Sequence, residues 1–323
     1  GCKDISPVEL TKSCIERTEK INHALNAMVT KSYDQARTEA LRAEKAVLNG
    51  DELGLLHGLP IGIKDLEATA GIRTTLGSLL YKQHVPKNDQ GSVANVRASG
   101  GIILAKTNTP EFGAGANTRN LVFGATGNPF NPNQTCGGSS GGSAVALATG
   151  MVPLASGSDY GGSLRTPAGF CGVVGIRPSP GVVAAESRPV GLLPFSVLGP
   201  MGRTVDDAYL LLNAQAGPNS RDPFSTHQRL ALPLRLETAD LGSLRAMITP
   251  DLGTAPMNNA YRAIFSERMS QISHHFAAVS HDNPDFIDGD NCFEVLRCVN
   301  FVAAHGMRVH NNRELLSPNV VDN

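Results

Sequence analysis

"GGSSGGSAVALATGMVPLASGSDYGGSLRTP" runs from Gly137 to Pro167. Together with the preceding Cys136 it holds two glycine–serine clusters, one from Cys136 to Ala144 and one closing on Ser163. Between them, "GGSAVALATG" (141–150) reads as a helix of small residues opened by glycines, and "MVPLASGSD" (151–159) as a buried strand. Glycines beside a serine permit backbone angles that a Cβ forbids. They also let a substrate approach main-chain N–H groups, and N–H groups aimed into a pocket make an oxyanion hole. One such cluster alone reads as a tight turn. Two in one chain, each ending a strand or opening a helix, point to a nucleophile with an anion cradle.

The same strand–helix alternation extends outward. "SPVELTKSCIERTEKI" (6–21) opens a helix with Ser6 as N-cap, Pro7 at the first position and Glu9 completing a capping box. A second helix is expected from Tyr33 to Asn49, with Ala36, Ala40, Ala43 and Val47 on one stripe and Gly50 closing it. "LPIGIKDL" (59–66) is an apolar run carrying Lys64 and Asp65, and "GSVANVRASGG" (91–101) a helix starting at Ser92. "IILAKTN" (102–108) reads as a buried strand. Thr204 caps a helix in "TVDDAYLLLNAQAG", "LRAMIT" (244–249) is a strand, "APMNNAYRAIFSERMSQISHHF" (255–276) a long helix, and a last helix lies near 291–315. A softer stretch is expected near 216–233. Short apolar strands alternating with helices give an α/β class.

Bulk properties narrow the function. The chain has 323 residues, 41% hydrophobic and 18% charged, with 28 basic and 29 acidic residues and a net charge of −1. That balance offers no electrostatic case for nucleic acid or an anionic membrane surface. No apolar run reaches membrane-span length, and "GCKDISPVEL" does not read as a signal peptide. Cys2, Cys14, Cys136, Cys171, Cys292 and Cys298 are scattered, without a CxxC pair, so a reducing cytoplasm is the expected setting. There is no HExxH, and His274 and His275 have no acidic partner at ligand spacing, so no metal site is expected.

Other serine and glycine chemistries fail on context. A phosphate loop needs a Gly-Lys pair, which the chain lacks. GxSxG occurs around Ser139 and around Ser140, but a nucleophile elbow needs a strand before it, and "NPFNPNQTC" (128–136) is no strand. His305 and His310 stand in no informative context as bases. A buried lysine held neutral is the remaining base, and both Lys64 and Lys106 lie in apolar runs. Asp159 and Arg165 bracket Ser163. They act either in catalysis or, as the sign of the developing charge favours, as a pair holding the loop. Ser143, Ser156 and Ser158 read as turn and helix-opening residues, and Glu111 as part of a cleft wall.

Residues 137–181 resemble the signature of the amidase signature family of serine hydrolases. "GLPIGIKD" (58–65), "LAKTNTPEFGAGANT" (104–118) and "LGPMGRTVDDAYLLL" (198–212) are similar to other blocks of that family. The resemblance implies a large mixed sheet covered by helices on both sides, as one domain over 1–323 that lacks its C-terminal part. It implies a Ser–cisSer–Lys triad: Lys64 as base, Ser139 as bridge after a cis Gly138–Ser139 peptide, Ser163 as nucleophile, and Ser140 in support. The main-chain N–H groups of Tyr160, Gly161, Gly162 and Ser163 would receive the oxyanion. The implied reaction is hydrolysis of small carboxylic amides without a cofactor, in a chain free of nucleic acid and membrane that can form a homo-oligomer. Two alternatives stand beside it. One is the glutamine-hydrolysing component of a tRNA-dependent amidotransferase, its A chain, although Thr166 and "RPSPGVVAAESRPVG" (177–191) depart from that pattern. The other is an inactive remnant that only binds.

Overall fold

The structure is a computed structural model that describes residues 4–225 and 232–323. Cys2 and part of the stretch read as soft, residues 226–231, lie outside the described residues. The chain divides into two compact units, residues 1–234 with 301–323, and residues 235–300.

In the first unit, α1 (Pro7–Leu25) starts as the capping box requires: Glu9 N–H donates to Ser6 Oγ and Ser6 N–H to Glu9 Oε2. β1 (Met28–Lys31) follows, then α2 (Tyr33–Asn49), which ends on Gly50 at φ 78° as expected. Next come β2 (Pro60–Lys64), α3 (Gly91–Ala98) and β3 (Ile102–Thr107). α3 begins one residue before the expected Ser92, with Gln90 as its cap, because the Ser92 hydroxyl is turned to a buried carboxylate, Glu67. A short hairpin, β4 (Arg119–Asn120) with β5 (Gly124–Ala125), precedes α4 (Gly141–Ala148). β6 (Leu154–Asp159), α5 (Arg165–Cys171), β7 (Val174–Gly175), β8 (Val197–Gly202) and α6 (Val205–Gln215) complete the frame.

Six strands form one mixed sheet in the order β1-β3-β2-β6-β8-β7. β3, β2 and β6 are parallel, whereas β1, β8 and β7 join antiparallel. One apolar cluster joins α1, α2, α4 and α5 to the sheet, and another joins α3 and α6 to Ile61, Ile63, Ile103 and Leu154. Helices therefore cover both faces. The strands β2, β3 and β6 are buried almost throughout, which is why they read as apolar runs rather than alternations. In such sheets the carboxyl ends of parallel strands are where sites form, and here Lys64, Thr107 and Asp159 close β2, β3 and β6.

In the second unit, β9 (Arg245–Ile248) and β10 (Ala278–His281) pair in parallel, joined through α7 (Asn259–Ile272). The helix expected over 255–276 is shorter because Asn258 caps it and the chain tightens to a 3-10 turn at Ser273–His275. α8 (Gly289–Asn312) and α9 (Pro318–Val321) end the chain, and their residues from 301 onward belong to the first unit.

Candidate active site

Lys64 is the last residue of β2 and is fully buried. Its Nζ lies 2.7 Å from Ser139 Oγ, 2.8 Å from Ser140 Oγ and 2.9 Å from Ser158 Oγ. Loss of hydration pushes its pKa from the usual lysine range down to about 7, against the opposing pull of the Glu67 and Asp159 charges. Ser139 and Ser140 come from the turn that opens α4, where the Gly138–Ser139 peptide is cis, and both are buried.

Ser163 sits in the turn between β6 and α5 and is half-buried. Its carbonyl accepts the Ser140 N–H at 3.3 Å, which ties the two serine clusters together. Tyr160, Gly161 and Gly162 form the same turn. Gly162 has φ +121°, and a Cβ there would stand 2.8 Å from Thr166 Oγ1, so this position requires glycine.

Asp159 is the knot of that turn. Its Oδ1 accepts the Gly162 N–H at 2.8 Å and its Oδ2 the Leu164 N–H at 3.2 Å. Arg165 binds both carboxylate oxygens, at 3.0 and 3.1 Å, and Arg177 binds Oδ1 at 2.8 Å. Burial works to raise the Asp159 pKa, but the Arg165 hydrogen bond and the two N–H donors outweigh it and hold it at about 2. Asp159 and Arg165 hold the loop. The Gly162 N–H is therefore already committed to a carboxylate.

A profile of the amidase family matches residues 9–290. The chain belongs to the amidase family. It is 34% identical over 283 residues to an acylamidase of Rhodococcus erythropolis, covering 88% of this chain and 59% of that protein. It is 39% identical over 231 residues to the A component of the glutamyl-tRNA(Gln) amidotransferase of Thermosynechococcus vestitus, covering 72% of this chain and 48% of that component. The chain thus spans about half the length of the curated relatives it matches. A solved bacterial aryl acylamidase of the amidase signature family superposes with a TM-score of 0.87 at 29% identity, covering 99% of this chain and 69% of that one.

Within this amidase-family frame, several residues escape a reading of the sequence. Ser156 and Ser158 are not turn residues, since both lie in β6, whereas Ser143 sits in the first turn of α4 as a helix-opening residue. Ser158 is the third hydroxyl on Lys64, and Ser156 Oγ accepts the Lys64 backbone N–H at 3.0 Å. Polar residues closing a fully buried strand must find partners inside, which is the signal that marks them. Glu67 and Arg177 carry no comparable mark. Lys106 is also fully buried, but its Nζ donates to the Glu67 carbonyl and to Thr69 Oγ1, not to a serine.

The turn at Phe112–Gly113 backs the site. Phe112 holds φ 52°, and a Cβ on Gly113 would lie 3.5 Å from Ser139 Oγ. Glu111 anchors this turn, with Oε1 accepting the Ser78 hydroxyl at 2.6 Å and Oε2 the Ser317 N–H at 2.7 Å. His305 stacks on Phe112 with ring centroids 4.4 Å apart, and burial followed by the nearby Arg308 charge lowers its pKa to about 4. His305 is an aromatic packing group at this turn.

Among the described residues, no group of three or more His, Cys, Asp or Glu is placed to hold a metal, and no helix is long and apolar enough to cross a membrane.

Proposed function

We propose that this chain hydrolyses carboxylic amides to acid plus ammonia or amine through an acyl-enzyme on Ser163. The observation that carries the reading is the buried Lys64 amine within 2.7 Å of Ser139 Oγ, in a pocket of hydroxyls. A neutral amine has two N–H donors and one lone pair. Ser140 Oγ lies 3.3 Å from both the carbonyl and the N–H of Ser158, so its single proton goes to that carbonyl. Ser140 then accepts one amine N–H, Ser158 accepts the other, and the Ser139 O–H faces the lone pair.

Ser163 Oγ attacks the amide carbonyl while its proton passes to Ser139 Oγ and the Ser139 proton passes to Lys64. The oxyanion is received by main-chain N–H groups of the Tyr160–Ser163 turn. Tyr160, Gly161 and Ser163 are the donors left for it, because Gly162 gives its N–H to Asp159. Collapse of the intermediate expels the amine, which takes its proton back through the same relay. Water then attacks the acyl-enzyme and regenerates Ser163. No step calls for a cofactor.

The substrate class is small neutral amides, consistent with a net charge of −1 and with the acylamidase relative. A single amidase domain in a reducing cytoplasm, free to form a homo-oligomer, belongs to the same proposal, and Cys14, Cys136, Cys171, Cys292 and Cys298 as free thiols suit it. The test is a panel of aliphatic, aryl and amino-acid amides assayed for released ammonia or amine, with fluorophosphonate labelling of the active serine. Turnover with labelling lost in Ser163→Ala is expected. Labelling that survives Ser163→Ala would defeat the assignment. The second reading, a glutamine-hydrolysing component of an amidotransferase, is favoured by the 39% identity to such a protein. It predicts activity on glutamine only with partner chains, and none on simple amides.

A further inference from the structure

Behind Lys64, on the side away from the serines, lies a second buried polar cluster that the relay does not use. Glu67 is 1% exposed. Its Oε1 accepts the Ser156 hydroxyl and its Oε2 the Ser92 hydroxyl at 2.7 Å. The same Ser156 Oγ accepts the Lys64 backbone N–H at 3.0 Å, and the Glu67 N–H returns to the Lys64 carbonyl at 3.0 Å. The Glu67 carbonyl in turn accepts Lys106 Nζ. One carboxylate is therefore wired, through one hydroxyl and one peptide, to both ends of the residue that carries the base.

Burial outweighs the rest and leaves the Glu67 pKa above the usual carboxylate value, although the Ser156 and Ser92 hydroxyls and the Lys106 and Lys64 charges pull it down. Each carboxylate oxygen faces one hydroxyl donor, an arrangement that favours the ionised form. A negative charge fixed across the strand from a buried amine still favours the ammonium, because little water screens it. We propose that Glu67 is a positioning residue for Lys64: through Ser156 it fixes the backbone from which the amine projects, and its charge governs the pH at which that amine becomes a base. This deepens the amidase reading and rests on it.

The charged groups around Lys64 bear on the claim. From β6 comes Asp159, whose charge is taken up by Arg165 and Arg177. From β3 comes Lys106, facing Asp65 and Glu67, with Asp89 and Arg97 acting on it from farther out. Asp65 itself turns to Thr75, whose hydroxyl reaches Oδ2 at 2.5 Å. α4 brings serines and small residues but no ionisable group. Both Glu67 and Asp159 act on Lys64, but the Glu67 side chain is held by neutral hydroxyls, whereas that of Asp159 is held by arginines that offset its charge.

The experiment is the pH profile of kcat/KM on one amide for the full chain and Glu67→Gln, with the rate of fluorophosphonate labelling of Ser163 followed over the same pH range. Glutamine keeps the shape and removes the charge. Without that charge the ammonium is less favoured, so the amine is neutral at lower pH. The acid limb should move down by up to about one pH unit, no more than the low end of what an opposite charge in contact produces, in both turnover and labelling. Ser92→Ala leaves the relay untouched but takes one donor from Glu67. Its limb should move in the same direction by less, and it answers the question if Glu67→Gln does not fold. A limb that stays in place in these variants while rate or stability falls equally at all pH values overturns the proposal and leaves the amidase reading intact. A wild type that neither hydrolyses amides nor labels at Ser163 overturns both.

Discussion

Lys64 and Lys106 lie on neighbouring parallel strands, are both fully buried, and have both lost much of their basicity to burial, to about 7 and about 8. Their surroundings differ because of one step in register. Lys64 pairs with Thr107 and Lys106 with Ile63, so the two side chains leave opposite faces of the sheet. Lys64 emerges on the α4 face among three serine hydroxyls. Lys106 emerges toward Glu67 and Thr69, where it meets a carbonyl and a threonine, with Asp65 and Glu67 as countercharges. Burial alone therefore makes a weakened lysine, and the partners decide whether it can move protons or only balance charge.

Exchanging each lysine in turn tests that distinction most severely. Lys64→Ala should cut amide turnover by about a thousandfold, within the range for loss of a general acid–base group. Esters should suffer less, since an alkoxide leaving group needs less protonation than an amine. Lys106→Ala should instead cost about 2–3 kcal/mol of stability, because it strands hydrogen-bond acceptors and leaves the Asp65 and Glu67 carboxyls without their cation. Denaturant midpoints and turnover per folded molecule, measured on the same preparations, separate the two effects. If the Lys106 variant loses the chemistry and the Lys64 variant keeps it, the base has been assigned to the wrong face.

A second contrast sets the hydroxyl-lined amine against the arginine-bound carboxylate of Asp159. This group acts on the turn, not on the proton relay, so its signature is stability that depends on pH. Its folded pKa, about 2, lies below the ordinary aspartate value. The unfolded chain therefore binds the proton first as pH falls. The stabilisation is complete above about pH 4 and disappears as pH drops through the folded value, for a total of about 2 kcal/mol. Asp159→Asn should lose that stability at neutral pH and show no further loss from this site in acid. A wild type whose unfolding free energy from this site does not change between about pH 5 and about pH 2 would contradict the knot.

These contrasts also mark what the residues reveal before folding. The capping box at Ser6, the C-cap at Gly50 and the buried strands at β2, β3 and β6 are local signals, set by hydrogen bonds within a few residues or by continuous apolarity. The glycines at 161 and 162 announce the turn, and the two serine clusters announce the chemistry. Ser158, Glu67 and Arg177 are invisible at that level. Ser158 reaches Lys64 across 94 residues and Ser156 reaches Glu67 across 89. Only strand order brings them together. Glu111 is equally nonlocal, since its partner Ser317, at the start of α9, is 206 residues away.

Ser158 supplies the finest test of the comparison, since it is one of the three serine hydroxyls that Lys64 has and Lys106 lacks. Ser139 and Ser140 arrive with the α4 turn, whereas Ser158 arrives independently on β6. If Ser139 carries the proton and Ser140 is bound to the Ser158 backbone, the Ser158 hydroxyl only steadies the amine at 2.9 Å. Removing one neutral hydrogen bond of this kind costs about 1 kcal/mol, which is about fivefold in rate. Ser158→Ala should therefore lower kcat about fivefold and leave KM unchanged, while Ser139→Ala loses far more because the bridge itself is gone. The check is the ratio of the two variants on one amide under saturating conditions. Equal losses would mean that the proton travels through Ser158 as readily as through Ser139, and Lys64 would then serve two relays instead of one.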